Sequence, residues 1–303
     1  MVDLKKSKKI SILQGGISDE SKISKLSAKE VFLALKKKYD VSLIDVTDDV
    51  DDLIIKLQNA NSDIYFNCLH GFFGEDGQIQ SILNALKLEY THSGVLTSSI
   101  SMNKQLAKAL FRLYGVNTPK GGFLNDLESK KNFDFPMIIK PNCGGSSNKL
   151  YKIDNFEQLK KFEKDKYSNE FIYEEFIKGR EITVGILNNQ LCGIMEIIFD
   201  GELYDYNNKY LSVAKHIINP KLPNDIIQTL NENSVLIHNK LNCNCISRLD
   251  FRYDENNKKL FLLEINTQPG LTKHSLLPEM ARYKGIGFTE LCEIILNHSI
   301  CPK

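Results

Sequence analysis

Acidic and amide side chains recur at every second position in two short segments near the end of the chain. Arg248 and Asp250 belong to the first segment, and Glu264 and Asn266 belong to the second. Residues two apart on a β-strand face the same side, so pairing of the two strands would gather these oxygens beside the guanidinium. Oxygen-only ligands suit Mg²⁺, which commonly combines a few carboxylates with phosphate oxygens and water. We interpret the cluster as a magnesium site.

The alternative interpretation is a solvated polar face on a surface hairpin. Apolar residues at 261–263 and 265 flank Glu264 and favour a strand that is largely covered. A covered carboxylate requires a partner, and a cation can supply one.

A lysine and a small flexible loop follow another apolar run. Lys140 ends the run Ile138–Lys140, and the loop Pro141–Ser147 contains two glycines and two serines. The backbone N–H groups of such a loop can bind phosphate oxygens, and the lysine adds positive charge. The pattern G-x-x-x-x-G-K-[ST] of a common phosphate-binding loop is missing. An ordinary surface loop is therefore the alternative, because turn residues cluster in loops in any case.

Acidic residues enclose an apolar pair between positions 174 and 181. Glu174, Phe176, Ile177 and Glu181 could hold a flat base between apolar side chains and hydrogen-bond a ribose. Charged residues at ordinary strand ends would give the same pattern. Both interpretations stay open on these residues alone.

The first part of the chain alternates between predicted strands and helices. We predict strands at Lys9–Gln14, Val41–Val46 and Asp63–Leu69, and a helix around residues 28–35. This alternation predicts a parallel sheet, whose ligands bind beyond the carboxyl ends of the strands. Gly15-Gly16 and His70-Gly71 both lie at such ends. His70 could act as a base there, although a lone histidine at a strand end is more often structural.

The remainder of the chain predicts two mixed α+β units. Helices are predicted at 106–113 and within 225–240, and strands at Met137–Lys140, Phe171–Glu174, Ile182–Leu187, Cys245–Phe251 and Lys259–Ile265. The first helix is marked by the spacing of Leu106, Ala109, Leu110 and Leu113. The segment Asp254–Asn257 has turn chemistry, so the last two strands are predicted to form an antiparallel hairpin.

The composition is that of a soluble globular protein with two or three packed domains. The 303 residues are 42% hydrophobic and 25% charged, and the net charge is +1. This balance gives no electrostatic footprint for general nucleic-acid binding, and we expect neither a secretory signal nor a membrane span. Seven scattered cysteines indicate reduced thiols, with Cys243 and Cys245 buried and not bound to zinc. We expect a cytoplasmic protein.

Further motifs lie in order along almost the whole chain, from about residue 10 to residue 295. They are GGISDE at 15–20, HGFFGEDG at 70–77, YTHSGV at 90–95, MNK at 102–104, IKP at 139–141, GSS at 145–147, GRE at 179–181, YDY at 204–206, KY at 209–210, SRLDF at 247–251 and EINTQPG at 264–270. In this order they resemble the D-alanine–D-alanine ligases of the ATP-grasp superfamily.

The resemblance implies an α/β and α+β protein with the ATP-grasp fold. A Rossmann-like domain with a parallel sheet would span residues 1–95 and bind substrate. Two mixed α+β subdomains, at 96–180 and 181–303, would clamp ATP between them. The last of these would carry the metal-binding hairpin and a mobile loop. The family also implies a homodimer.

The resemblance implies a role for each matching residue. Lys104 and Lys140 would bind the nucleotide phosphates, and Ser147 and Lys209 would also contact the nucleotide. Glu174, Phe176, Ile177 and Glu181 would line the adenosine pocket. Asp250, Glu264 and Asn266 would hold two Mg²⁺ ions, for which Mn²⁺ could substitute. Glu20, linked to Ser146 and Tyr210, would receive the ammonium of the first D-alanine, and Ser275 and Leu276 would contact the second. His70 would orient the substrate and set its ionisation, and Lys209 and Tyr210 would lie on the mobile loop.

The implied reaction is the ATP-dependent ligation of two D-alanines through an acyl phosphate, for peptidoglycan precursors. Arg248 and the Gly270 N–H would stabilise the oxyanion, and Tyr210 would favour D-alanine over D-lactate. Two alternatives stay open: a paralogous ligase for another amino or hydroxy acid, and a nucleotide-binding regulatory protein without turnover. Gly144 and Lys149 depart from the family pattern. Because a lysine takes a positive φ at a cost, we expect a phosphate loop of different shape.

Overall fold

The computed structural model describes residues 8–129, 134–145, 149–162, 170–202 and 214–301. Four of the predicted site residues lie outside these ranges: Ser146, Ser147, Lys209 and Tyr210. In the described part of the chain, no helix combines the length and the apolar character that crossing a membrane requires.

The first unit is a small parallel sheet with helices between its strands. Its elements are β1 (Lys9–Gly15), α1 (Ser21–Leu35), β2 (Asp40–Val46), α2 (Val50–Ala60), β3 (Ile64–Asn67) and α3 (Gln78–Ala85). The strand order is β2-β1-β3, and both pairings are parallel. The predicted parallel sheet is thereby confirmed. β3 ends before Leu69, as the Leu69 N–H donates to the Asn67 side chain and not to a neighbouring strand.

The second unit is an antiparallel sheet preceded by two helices. Its elements are α4 (Val95–Met102), α5 (Lys104–Leu113), β4 (Gly121–Phe123), a 3-10 helix (Leu124–Ser129), β5 (Met137–Pro141), β6 (Tyr151–Ile153), α6 (Phe156–Lys161) and β7 (Phe171–Glu175). The strand order is β4-β7-β5-β6. Asn103 begins α5 as its N-cap, and its side chain accepts from the Leu106 N–H. This cap fixes the start of α5 and therefore the direction in which the Lys104 side chain projects from the helix.

The third unit is a five-stranded antiparallel sheet with three helices. Its elements are β8 (Arg180–Leu187), β9 (Gln190–Ile198), β10 (Lys215–Ile218), α7 (Asn224–Lys240), β11 (Ile246–Asp254), β12 (Lys259–Asn266), α8 (Leu276–Tyr283) and α9 (Phe288–Asn297). The strand order is β10-β9-β8-β11-β12, so the predicted hairpin of β11 and β12 is confirmed. The three sheets follow the predicted sequence of units, while the domain limits at 95 and 180 stay a prediction.

The sequence pattern gives the position of α5 but does not reveal its buried face. The helix buries Lys104, Ala107, Lys108 and Phe111, whereas Leu106 and Leu113 are exposed. Apolar spacing alone does not decide which side of a helix meets the core, since tertiary partners decide it. Here the partners of the buried face include carboxylates from distant strands, which compensate the two lysines.

One hydrophobic core joins the first and third units. Ile10 of β1 and Val31 of α1 pack in the same cluster as Ile246 of β11 and Met280 of α8. Because this core is shared, the carboxyl ends of the parallel strands are fixed beside the β11–β12 hairpin. Cysteines 68, 192, 243, 245 and 292 are buried, and all seven are free thiols, as expected from the sequence. Burial raises the pKa of Cys243 and Cys245 to about 12, so both are unreactive thiols.

His238 of α7 is a buried neutral histidine between two polar partners. Its Nε2 lies 2.9 Å from Asn189 Oδ1, and its Nδ1 lies 2.7 Å from Ser247 Oγ. Asn189 Oδ1 can only accept, so Nε2 carries the proton and Nδ1 accepts from the Ser247 hydroxyl. Burial lowers the pKa of His238 to about 4. Protonation of Nδ1 would place a charged N–H group against the Ser247 hydroxyl that now donates to it.

We expect His238 to make the protein less stable as the pH falls from 6.5 to 4. The unfolded chain binds this proton near pH 6.5, whereas the folded chain does not until about pH 4. Unfolding therefore takes up a proton in this window, and each pH unit costs about 1.4 kcal/mol of unfolding free energy. Urea unfolding at several pH values should show a steeper decline for the wild type than for His238→Gln. Parallel pH profiles of the two proteins would contradict the assignment.

Candidate active site

A single cavity collects every predicted site residue that the structure describes. Its volume is about 1090 Å³, and all three units contribute to its wall. The predicted residues that line it are Glu20, His70, Lys104, Lys140, Glu174, Phe176, Ile177, Glu181, Arg248, Asp250, Glu264, Asn266, Gly270, Ser275 and Leu276. The sequence indicated these residues separately, and the fold brings them to one place.

The β11–β12 hairpin forms the polar wall of the cavity. Its register sets Arg248 opposite Asn266 and Asp250 opposite Glu264, so all four residues share one face. The Arg248 Nε and Nη2 donate to the two oxygens of Asp250 at 3.0 and 2.8 Å. The Thr183 hydroxyl of β8 donates to Asp250 Oδ1 at 2.7 Å. This carboxylate is therefore oriented from two strands, and a solvated polar face does not describe it.

The oxygens of this wall fit a magnesium site that is completed by other ligands. Asp250, Glu264 and Asn266 offer two carboxylates and one amide oxygen, a donor set that a hard cation prefers. Among the described residues, no group of three or more His, Cys, Asp and Glu side chains is arranged to hold a metal ion. The hairpin could thus supply only part of a coordination shell, which would suit a cation that also takes phosphate oxygens and water.

Lys104 connects this wall to the loop after β5. Its Nζ donates to the Gly144 carbonyl at 2.6 Å and lies 3.6 Å from Glu264 Oε2. The Lys104 N–H also donates to the Asn142 carbonyl. Lys149, further along the chain, has a φ of +57°. It therefore adopts the left-handed conformation despite its Cβ, and the expected difference in the shape of the phosphate loop stays a prediction.

A buried carboxylate lies between two lysines at the other end of the cavity. Glu174 Oε2 is 3.0 Å from Lys140 Nζ, and Glu174 Oε1 is 2.5 Å from Lys108 Nζ. Burial raises the pKa of Glu174, but the two ammonium groups outweigh burial and hold it below its usual value. Burial lowers the pKa of Lys108, and the Glu174 carboxylate opposes that shift. Glu174 is therefore ionised, and its charge favours the protonated form of Lys108 against the effect of burial.

An ion pair also holds the acid at the start of β8. Arg252 Nε lies 2.9 Å from Glu181 Oε2, and its Nη1 and Nη2 donate to the carbonyls of Gly179 and Glu202. Both side chains are largely buried. Phe176 forms part of the wall nearby, with Lys152 Nζ 5.1 Å from its ring centroid. These contacts hold Glu181 and Phe176, two of the residues on which the base-and-ribose interpretation of 174–181 depends.

His70 is held by partners on both ring nitrogens. Its Nδ1 lies 2.9 Å from Glu75 Oε1, and its Nε2 lies 3.2 Å from Ser27 Oγ. Ser27 Oγ also accepts from the Leu271 N–H, which ties the histidine to the loop after β12. Burial raises the pKa of Glu75, and the His70 ring opposes that shift. The ring is thus fixed structurally and also lines the cavity.

Glu20 lies between two glycine segments. A Cβ built on Gly71 would lie 2.6 Å from Glu20 Oε2, and a Cβ built on Gly145 would lie 3.1 Å from the same oxygen. Gly71 also has φ +69°, which favours glycine independently of space. The absence of side chains at these two positions lets the carboxylate reach the cavity.

Ser275 lies at the N-terminus of α8, beside Gly270. A Cβ built on Gly270 would lie 2.9 Å from Ser275 Oγ. Ser275 Oγ accepts from the Thr272 N–H at 3.0 Å. The first N–H groups of α8 have no partners within the helix, and such an end attracts a carboxylate.

Sequence reasoning missed several residues that hold the site together. They are Ser27, Lys108, Thr183, Arg252 and Gln268. Lys108 carried one usable signal, because a lysine four residues after Lys104 on the same helix face must share its surroundings. Gln268 lies within the EINTQPG motif, but its partners are distant in sequence, so spacing could not reveal them.

Gln268 joins the loop after β12 to the end of β3. Its Oε1 accepts from Asn67 Nδ2 at 2.9 Å, and its Nε2 donates to the Leu69 carbonyl. Its N–H donates to Asn266 Oδ1 at 2.9 Å. Gln268 is buried, as is Asn67. The Gln268 side chain thus ties the loop that contains Asn266 and Gly270 to the end of β3, next to His70.

A Gln268→Ala variant is expected to lose about 2 kcal/mol of unfolding free energy, because buried polar groups lose their partners. The catalytic turnover that the sequence resemblance implies should fall as well, since the loop at 267–270 loses its anchor. Urea unfolding and a phosphate-release assay measure the two effects. Gln228→Ala, at an exposed position of α7, is the matched control. A stable and active Gln268→Ala protein would show that the anchor is dispensable.

Comparison with known proteins agrees with the resemblance of the motifs. A family model described as the D-ala D-ala ligase C-terminus matches residues 118–297. The chain is 42% identical over 300 residues to the D-alanine–D-alanine ligase of Pelagibacter ubique, with 96% of this chain and 97% of that protein covered. It is 39% identical over 302 residues to that of Wolbachia pipientis wMel, with 97% and 95% covered.

A solved structure shares the whole architecture. The D-alanine–D-alanine ligase from Bacillus anthracis, complexed with ATP, matches with a TM-score of 0.83 and 29% identity, and the match covers 96% of this chain and 97% of that one. The architecture is thus the ATP-grasp fold that the motifs imply. The chain belongs to the D-alanine–D-alanine ligase family.

Proposed function

We propose that this protein joins two D-alanine molecules to D-alanyl-D-alanine at the expense of ATP, and that the product serves peptidoglycan precursor synthesis in the cytoplasm. The register of the β11–β12 hairpin carries the proposal. It sets Arg248, Asp250, Glu264 and Asn266 on one wall of a cavity whose other residues suit a nucleotide and an amino acid. The full-length similarity to D-alanine–D-alanine ligases supports the choice of substrate.

The nucleotide would occupy the end of the cavity near β5 and β7. Lys104 and Lys140 would bind its phosphates. Ser147 and Lys209, which lie outside the described residues, would also contact the nucleotide. Phe176 and Ile177 would hold the base, and Glu181, oriented by Arg252, would bind the ribose. The similarity to the Bacillus anthracis ligase, which was solved as a complex with ATP, supports this assignment.

Asp250, Glu264 and Asn266 would hold Mg²⁺, or Mn²⁺ in its place, as two ions against the nucleotide phosphates. Bound there, the metal would neutralise charge that develops on the phosphates. The ion pair of Arg248 with Asp250 keeps one of these carboxylates oriented.

Glu20 would bind the ammonium of the first D-alanine, and His70 would orient that substrate. A carboxylate oxygen of this D-alanine attacks the γ-phosphorus of ATP, the bond from that phosphorus to the β–γ bridging oxygen breaks, and ADP leaves. The product is an acyl phosphate, whose phosphate is a far better leaving group than an oxide. This exchange is the reason that ATP is consumed.

The amine of the second D-alanine then attacks the acyl carbon and loses a proton. Charge develops on the carbonyl oxygen, and Arg248 together with the Gly270 N–H would donate to it. The bond from the acyl carbon to the phosphate oxygen breaks, and inorganic phosphate leaves. The carboxylate of this second substrate would lie at the N-terminus of α8, against Ser275 and Leu276. Ser146 and Tyr210, outside the described residues, would complete the enclosure with Glu20.

Phosphate release tests the proposal directly. The protein is supplied with ATP and Mg²⁺ and, in parallel, with D-alanine, L-alanine or D-lactate, and the products are identified by mass spectrometry. We expect release with D-alanine and formation of the dipeptide. Release with another acid would support the paralogous ligase, and ATP binding without D-alanine-dependent release would support a regulatory protein.

We propose a homodimer as well. Leu106, Ala109 and Leu113 form an exposed apolar stripe on α5, which a second copy could cover. Light scattering coupled to size-exclusion chromatography tests this, with Leu113→Glu expected to shift the protein toward monomer.

A further inference from the structure

A lysine is buried directly behind the nucleotide end of the cavity. Lys108 is 1% exposed and lies one turn after Lys104 on α5. It does not line the cavity, so it is outside the set of nucleotide-contacting residues proposed above. Lysine is almost never fully buried without a specific partner, because an ammonium loses its hydration there. Its position therefore requires an explanation beyond packing.

The partner of Lys108 is the carboxylate that also holds Lys140. Lys108 Nζ is 2.5 Å from Glu174 Oε1, while Lys140 Nζ is 3.0 Å from Glu174 Oε2. Each lysine thus has its own carboxylate oxygen. Lys108 is nearly inaccessible and does not line the cavity, whereas Lys140 and the largely buried Glu174 both form part of its wall. Two lysines thus share one carboxylate, and of these two lysines Lys140 is the one that lines the cavity.

We infer that Lys108 is a positioning residue for nucleotide binding: it compensates Glu174, so that the charge of Lys140 is available to a nucleotide phosphate. The inference rests on the proposed function, in which Lys140 binds phosphate. Without Lys108, Lys140 would be the sole partner of Glu174 within this triad. Turning Lys140 toward a phosphate would then leave a buried carboxylate uncompensated, which is strongly unfavourable.

The helix that carries Lys108 strengthens this reasoning. Lys104 and Lys108 are one turn apart, and they contact Glu264 on β12 and Glu174 on β7 respectively. One short helix thus serves both the metal-binding wall and the base-binding end. A simple core ion pair would need neither the second lysine on Glu174 nor the opening of Lys140 to the cavity.

A double-mutant cycle with Lys108→Met and Glu174→Gln tests the inference. Methionine has a similar length and suits a buried site, and glutamine keeps the shape of the acid without its charge. Isothermal titration calorimetry gives the Kd of ATP for the wild type, each single variant and the double variant. Steady-state assays give the KM of D-alanine and kcat at saturating ATP. Lys37→Met, at an exposed position, is the control for loss of a lysine.

We expect Lys108→Met to raise the Kd of ATP about tenfold or more, with the KM of D-alanine changed less than about threefold. In the Glu174→Gln background the same change should alter the Kd less than about twofold, because the buried carboxylate that Lys108 compensates is no longer present. If Lys108→Met alone fails to fold, the Kd of Glu174→Gln is compared with that of the double variant, and a difference above about twofold would overturn the inference. An unchanged Kd in Lys108→Met, or an equal loss in both backgrounds, would overturn the inference. A wild type that binds no ATP would instead overturn the proposed function.

Discussion

Arg248→Ala is expected to lose D-alanine-dependent phosphate release by about 10²–10³-fold while it still binds ATP. The guanidinium lies on the cavity wall opposite Asn266, near where the acyl carbon would react. Removing one donor from an oxyanion site typically raises the barrier by about 2.7–4 kcal/mol. ATP affinity should persist, because the lysines of the nucleotide end are untouched. Turnover under saturating substrates and ATP titration measure the two quantities.

The same substitution has a second effect that the controls must separate. Arg248 binds both oxygens of Asp250, so its loss also releases a proposed metal ligand. Arg248→Lys keeps a positive charge but loses the two-pronged contact, and it should be intermediate in turnover. Arg112→Ala, at an exposed position of α5, should behave as wild type. Near-normal turnover of Arg248→Ala would refute the role of this residue.

The hairpin that carries this prediction could be derived from the sequence because its determinants are local. Alternating polar residues define the shared face, and the turn at Asp254–Asn257 sets the pairing of Asp254 with Lys259. Counting back from that turn gives the neighbourhood of Asp250 and Glu264. A bulge after Asp250 shifts the count by one residue, and the pattern does not show that shift.

Other parts of the fold could not be derived because their determinants are distant. The strand β9 was not predicted, although Asn188 and Asn189 give a turn signal, each with positive φ. On α5 the spacing of the leucines marks a helix, but it gives no sign that two lysines are buried. Their partners Glu174 and Glu264 belong to strands of two different sheets. No periodicity within the helix contains that information.

The site also has features that the sequence reveals and features whose determinants are distant along the chain. Its single residues could be recognised from short motifs, and the resemblance supplied their roles. The contacts that orient them join distant positions, as with Asn67 and Gln268, which are 201 residues apart. Residues of this kind belong to no catalytic or metal-binding pattern that the sequence alone displays. They become visible only when the fold has brought the two ends of the cavity together.

Glu264→Gln tests the metal wall with the smallest change of shape. The substitution keeps the side chain's size and removes one of two carboxylate charges that face each other across the hairpin. Because Mg²⁺ affinity depends on the number of charged oxygen ligands, we expect weaker binding by about 10–100-fold or more. Phosphate release at a fixed low Mg²⁺ concentration should fall accordingly, and raising the Mg²⁺ concentration should recover part of it.

The contact between Lys104 and Glu264 provides a second measurement for the Glu264→Gln variant. Its Nζ lies 3.6 Å from Glu264 Oε2, so the variant also frees a lysine that would bind phosphate. ATP affinity measured without Mg²⁺ should therefore hold or improve, while the Mg²⁺ concentration for half-maximal turnover rises. Glu255→Gln, in the exposed turn of the same hairpin, is the matched control and should keep the wild-type Mg²⁺ dependence. If Glu264→Gln also kept that dependence, Glu264 would not be a metal ligand, and the shared face of the hairpin would need another role.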